Sequence, residues 1–192
     1  MPKTRRNGQA SSISTWQLDC LIADLEPMYK TIFSVCRFTA CRKSESLGLR
    51  WENVTNDTVV IPRGITKCKK TREIPLNDRL ERMLGEWKTQ WVELFGREST
   101  PKDFLFPDRR AISDKHVMRR DCDRALRISC KKLNYEGVST HSFRRSALTA
   151  ASRAGVSMKI LQTLSGHSSM ASLQLYIDTN EADRIKATQL FG

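Results

Sequence analysis

One stretch of this chain carries the marks of β-structure, and it is short. The β-branched runs are Thr-Val-Val-Ile at 58–61, Ile-Thr-Lys at 65–67 and Thr-Arg-Glu-Ile at 71–74, interrupted at 62–64 and 68–70. That pattern predicts a small three-stranded antiparallel sheet. So small a sheet cannot carry the core of a 192-residue chain, so helices must bury most of the apolar surface. Helix signals duly fill the rest. Ser14 with Gln17 makes a capping box opening a helix to about residue 25, and Pro27 suits the first position of a second helix to about residue 40. Asn77 or Asp78 caps a segment reaching about residue 95, followed by a turn-rich loop over 96–107. Ser113 opens a long helix to about residue 133, Thr140 one ending near Gly155, Ser157 one ending at Gly166, and Asn180 a last one. The expected fold class is mainly α with a small three-stranded antiparallel β-sheet.

Charge narrows the partner. Lys and Arg number 33 against 21 Asp and Glu, a formal balance of +12, which points to a polyanion. The 39% hydrophobic content, with four Trp and seven Phe, argues against disorder. No apolar run is long enough for a membrane span, and the N-terminus is polar and basic rather than signal-like, so a soluble, cytoplasmic protein is expected. Residues 1–13, with Lys3, Arg5 and Arg6, read as a basic flexible tail before one domain over 14–192. The six cysteines form no C-x-x-C pair and the three histidines are not spaced as ligands, so reduced thiols and no metal are expected.

Two features point to phosphate. On the helix after Ser113, Arg120, Arg124, Arg127 and Lys131 share one stripe while Met118, Cys122, Ala125, Leu126 and Leu133 share the opposite one. The basic stripe suits either a solvated face or a surface that tracks phosphates. In Thr140-His141-Ser142-Phe143-Arg144, the three-residue spacing puts His141 and Arg144 on one helix face near free backbone N–H groups. Alone, H-x-x-R is common by chance.

Order lends it weight. The chain carries Thr39-Ala40-Cys41-Arg42-Lys43-Ser44-Glu45, then Thr66-Lys67-Cys68-Lys69-Lys70-Thr71-Arg72-Glu73-Ile74-Pro75, then His141-Ser142-Phe143-Arg144, then Leu164-Ser165-Gly166-His167, then Tyr176 nine residues on. This set, in this order, resembles the catalytic domain of the tyrosine recombinase (phage integrase) family from about Ser14 to the C-terminus. The resemblance implies a site-specific DNA recombinase or integrase of a phage or mobile element, acting on double-stranded DNA with no cofactor. Tyr176 matches the nucleophile, Arg42 and Arg144 the phosphate-clamping arginines, Lys67 the general acid, His141 the general base and His167 a further phosphate contact. Glu45 reads as support that orients a catalytic arginine. The resemblance also implies a homo-oligomer on DNA, with a tetrameric synapse expected and a monomer the option without DNA, and a nucleoid-associated location.

Chemistry agrees with those roles. Guanidiniums meet the oxygens of a phosphodiester gaining charge, a tyrosine with pKa near 10 needs a base and a positive field, and the departing 5′-oxygen needs an acid. Three departures stand beside the resemblance. The hairpin usually turns on Gly where this chain has Cys68-Lys69-Lys70, leaving Lys69 or Lys70 as alternative acids and as DNA contacts. Ala40-Cys41 precede Arg42 where a Gly is commoner. The separate N-terminal core-binding domain of such recombinases has no counterpart here. The rival readings are a type IB topoisomerase, a non-catalytic basic DNA-binding module, and a metal-dependent nuclease, the last disfavoured by scattered acidic residues.

Overall fold

A computed structural model describes residues 10–108 and 115–191. The basic residues expected in the tail, Lys3, Arg5 and Arg6, and the helix start expected at Ser113 lie outside them. The described chain is mainly helical: α1 (Thr15–Ala23), α2 (Pro27–Phe38), α3 (Lys43–Leu47), β1 (Thr58–Ile61), β2 (Arg72–Pro75), α4 (Asp78–Phe95), α5 (Arg119–Lys132), α6 (Thr140–Arg153), α7 (Met158–Ser165), α8 (Met170–Gln174) and α9 (Glu181–Thr188). Caps explain several boundaries. Ser14 and Gln17 close a reciprocal capping box on α1, and the Asn77 side chain accepts from the Leu80 N–H at the start of α4. Gly96 and Gly166, both in the left-handed region, end α4 and α7.

The sheet has two strands rather than three. β1 and β2 pair antiparallel, Val59 opposite Ile74 and Ile61 opposite Arg72. The expected middle strand does not form, because after Pro62 the residues Arg63–Ile65 coil into a 3-10 turn. Thr66 then serves the loop instead of a ladder: its Oγ1 donates to the Lys70 carbonyl at 3.1 Å and accepts from the Lys70 N–H at 3.2 Å. Lys69 takes a left-handed φ of 51°, supplying without glycine the turn that glycine usually makes.

The fifth helix begins at Arg119, later than the pattern after Ser113 predicts. The residues before it are spent in pairing: Asp108 N–H donates to the Lys115 carbonyl at 2.9 Å and Val117 N–H to the Phe106 carbonyl at 2.9 Å. In α6 the cap is Ser139, not Thr140, which is the first helical residue.

Two apolar clusters organise the molecule. The larger centres on α2, whose Met28, Ile32, Phe33, Val35 and Cys36 are buried, and Phe33 stacks on Phe143 of α6 with ring centroids 4.7 Å apart. Trp87 of α4 lies in it too, its Nε1–H donating to the Leu105 carbonyl at 2.8 Å. The smaller cluster joins Ala40, Leu148, Leu161 and Leu173, with Tyr176 and Ile177 packed against it. It brings α6, α7 and α8 together, so the end of the chain is seated by few apolar contacts. No helix among the described residues is long and apolar enough to cross a membrane.

Candidate active site

The site gathers where the α2–α3 turn, the β1–β2 hairpin, α6 and the α7–α8 turn meet. Arg144, on α6, is 1% exposed. Its Nη1 donates to the Ala40 carbonyl, and its Nη2 to the Ser165 carbonyl at 2.7 Å. Ala40 holds a φ of 49°, the left-handed region that glycine prefers, just before Arg42. Arg144 Nη2 also lies 3.1 Å from His167 Nε2, and Nε of Arg144 has no hydrogen-bond partner among the described residues. Burial and the neighbouring charge of Arg42 lower its pKa to about 10, which leaves it cationic at neutral pH.

Glu45 is the counter-charge. It is 1% exposed, accepts the Arg42 N–H at 2.9 Å, and pairs with Arg42 Nη1 at 3.0 Å and Arg72 Nη2 at 2.6 Å. Burial by itself would raise its pKa, but the Arg42 N–H and the guanidiniums of Arg72 and Arg42 hold it below the usual carboxylate value. Arg72 lies outside the set of candidates that residue type and order suggest, yet it ties the site together. It donates to the Ser165 and Leu164 carbonyls at the end of α7 as well as to Glu45. Its signal was the strand's period of two: Arg72 shares the inward face with Ile74, and a charged residue at an inward position requires a buried partner. The same arginine explains the glycine in Ser165-Gly166-His167. Gly166 has φ +68°, and a Cβ there would stand 2.8 Å from Arg72 Cδ and Nη1.

His167 is buried behind that turn, with Nδ1 2.7 Å from Ser165 Oγ. Burial, reinforced by the charges of Arg144, Arg42 and Arg72, pushes its pKa down to about 4, so the ring is neutral at physiological pH. Unfolded histidine takes up a proton near pH 6.5, well before the folded ring does. The stability contributed by the neutral ring is therefore complete above about pH 6.5 and is lost as pH falls toward 4. Denaturant titrations across that window are expected to show the wild type losing up to roughly 3 kcal/mol more than His167→Asn. Parallel curves for the two proteins would refute the assignment.

Tyr176 follows α8, half-buried. Its ring centroid is 4.7 Å from that of His167 and 6.4 Å from that of His141, and Arg144 Cζ lies 5.3 Å from the ring centre. Arg42, Arg144, His141, His167, Tyr176 and Glu45 are thus brought together. Lys67 is exposed on the hairpin turn, whereas Lys70 lines a cleft of about 730 Å³ with Arg72, Gly166 and His167. Lys69 is exposed on the same turn. Arg120, Arg124, Arg127 and Lys131 are all exposed on α5. Arg120 and Arg127 line one groove with Thr140 and His141, whereas Arg124 lines another beside Asp24 and Asp121. Among the described residues no cluster of three or more His, Cys, Asp and Glu side chains is arranged to hold a metal ion.

Arginines, a neutral imidazole and a tyrosine ring thus stand together in a mainly helical fold, near a groove lined by Arg120, Arg127 and His141. The chain belongs to the phage integrase family, whose model matches residues 14–183. It is 26% identical over 161 residues to a tyrosine recombinase of Thermosipho africanus, covering 83% of this chain and 53% of that protein. It is 27% identical over 139 residues to the tyrosine recombinase XerD of Chlamydia pneumoniae, covering 72% and 44%. The chain spans about half the length of these relatives. In fold it is similar to XerA recombinase, with TM-score 0.79 and 22% identity over 97% of this chain and 67% of that one. It is also similar to the catalytic domain of bacteriophage HP1 integrase, with TM-score 0.62 and 18% identity over 93% and 95%.

Proposed function

We propose that this domain cleaves and rejoins double-stranded DNA at specific sites through a 3′-phosphotyrosyl intermediate, as a recombinase or integrase. The observation that carries the reading is the mutual contact of Arg144, His167 and Tyr176. The Tyr176 hydroxyl attacks the scissile phosphorus, its proton passing to His141, and the bond from phosphorus to the 5′-oxygen breaks. Arg42 and Arg144 hold the non-bridging oxygens through their guanidinium N–H groups. His167 is the further phosphate contact of this reading and packs against the Arg144 guanidinium. A hairpin lysine protonates the departing 5′-oxygen. Lys67 stands at the family offset, and Lys70 shares the cleft with His167. The phosphotyrosyl bond keeps the energy of the broken phosphodiester, so a 5′-hydroxyl reverses the attack with no ATP, metal or other cofactor.

Glu45 orients Arg42 and Arg72 for this work. Arg120 and Arg127, which share a groove with His141, join Arg124, Lys131, Lys69 and Lys70 as phosphate contacts along the duplex. Two of the recombinases similar in fold are described as bound to DNA, XerH to its difH substrate and the Tn1549 transposon integrase to transposon end DNA. A homo-oligomer on DNA fits α9, which buries none of its residues and leaves Ile185 exposed, with Leu190 and Phe191 exposed just after it. A nucleoid location follows from such a substrate.

The test is a nicked suicide duplex carrying a candidate site, incubated with EDTA and run on a denaturing gel. Wild type is expected to give a slow-migrating protein–DNA adduct, and Tyr176→Phe none. An adduct that persists in the Phe protein would exclude Tyr176 as nucleophile. Salt-sensitive binding without any adduct would favour a binding module.

A further inference from the structure

The segment that carries Tyr176 packs on the cluster of Leu148, Leu161 and Leu173 and is also held by polar ties to α6. Leu175 beside it is 60% exposed, and α9 beyond it buries nothing. The ties come from two residues one turn apart. Arg145, 9% exposed, donates through Nε to Asp178 Oδ2 at 2.9 Å, through Nη2 to Asp178 Oδ1, and through Nη1 to the Leu175 carbonyl at 2.6 Å. Thr149 Oγ1 donates to the Tyr176 carbonyl at 3.3 Å and accepts from the Asp178 N–H at 3.1 Å. Residues 175, 176 and 178 are therefore each anchored to the helix that presents Arg144. Asp178 is held below its ordinary pKa by the Arg145 hydrogen bond first. Beside Arg145, Ile13 N–H donates to Ser146 Oγ at 2.9 Å, so residue 13 is tied to α6 as well.

We propose that Arg145 is a positioning residue for the nucleophile. Gripping Asp178 and the Leu175 carbonyl on either side of Tyr176, with Thr149 holding the Tyr176 carbonyl between them, it fixes the tyrosine over Arg144 and His167. The geometry suits that role. A bidentate guanidinium–carboxylate pair resists rotation as well as stretching, and a further bond to backbone removes the slack that a lone ion pair leaves. Reaction rates depend steeply on such placement, since an error of the order of 1 Å costs about 10²-fold. The inference rests on the phosphotyrosyl reading for its consequence, and on the hydrogen bonds alone for its mechanics.

Amide hydrogen exchange on the whole chain tests the mechanics. In Arg145→Ala and Thr149→Val the amides of Tyr176 and Asp178 are expected to exchange about tenfold faster, while α2 keeps its protection. Arg145→Lys, which keeps the charge but not the fork, is expected to fall between. Cleavage of a suicide duplex at saturating protein tests the consequence. Adduct formation by Arg145→Ala is expected to slow about 10²-fold with DNA affinity unchanged. Exchange unchanged over 175–178, or raised equally in α2, overturns the proposal. So does a cleavage defect wholly accounted for by weaker binding. A wild type that forms no adduct sinks the phosphotyrosyl reading, and the exchange comparison still decides the clamp.

Discussion

Arg144→Lys is expected to abolish nearly all cleavage while sparing most DNA binding. Arg144 serves three acceptors at once, the carbonyls of Ala40 and Ser165 and the ring of His167, and a lysine ammonium at the end of a flexible stem cannot span them. Removing one preorganised donor from a developing oxyanion costs about 10² to 10³ in rate, so adduct formation on a suicide duplex should fall by about 10³-fold. On the proposed reading, DNA affinity draws mainly on the many exposed Lys and Arg side chains and is expected to change little. The variant should also be less stable by about 1 to 3 kcal/mol, because a buried carbonyl loses its donor. Single-turnover cleavage beside fluorescence anisotropy measures both quantities. A Lys variant that cleaves at the wild-type rate would remove Arg144 from the site's chemistry.

Glu45→Gln is expected to be the most destabilising change of a single charge in the domain. The carboxylate is almost fully buried and compensates two guanidiniums, so neutralising it strands Arg72 inside the protein. Breaking a buried pair costs about 3 to 5 kcal/mol, and even the lower end corresponds to a fall in Tm of roughly 6 to 12 °C for a domain of this size. The exposed pair between Arg184 and Glu181, with side chains 77% and 70% accessible, supplies the contrast. Glu181→Gln is expected to leave Tm unchanged within error, since exposed pairs contribute little. Calorimetry on the two variants decides it. Equal and small shifts would mean that water or a neighbour compensates Arg72 when Glu45 is neutral.

Many of the helix boundaries are legible in the sequence. The caps at Ser14, Asn77, Ser157 and Asn180 mark helix starts because each depends on a side chain bonding a backbone N–H two or three residues away, an interaction local in sequence. The motif residues Arg42, Glu45, His141, Arg144, His167 and Tyr176 could be named from residue type and order. The third strand was misread because residues 65–67 have strand-forming side chains but follow Pro62, and the Thr66 hydroxyl offered their backbone a local alternative.

What the chain determines alone is therefore whatever depends on neighbours in sequence: helix starts, the inward face of β2, and the presence of each reactive group. The tertiary structure decided the rest. Arg72 reaches Ser165 across 93 positions of chain, and Arg144 reaches Ala40 across 104. Lys70 rather than Lys67 lines the cleft with His167, and Arg145 grips the segment carrying Tyr176. These are long-range hydrogen bonds and charges in a buried setting. Their strength comes from the exclusion of water, which no local pattern encodes and only packing can produce.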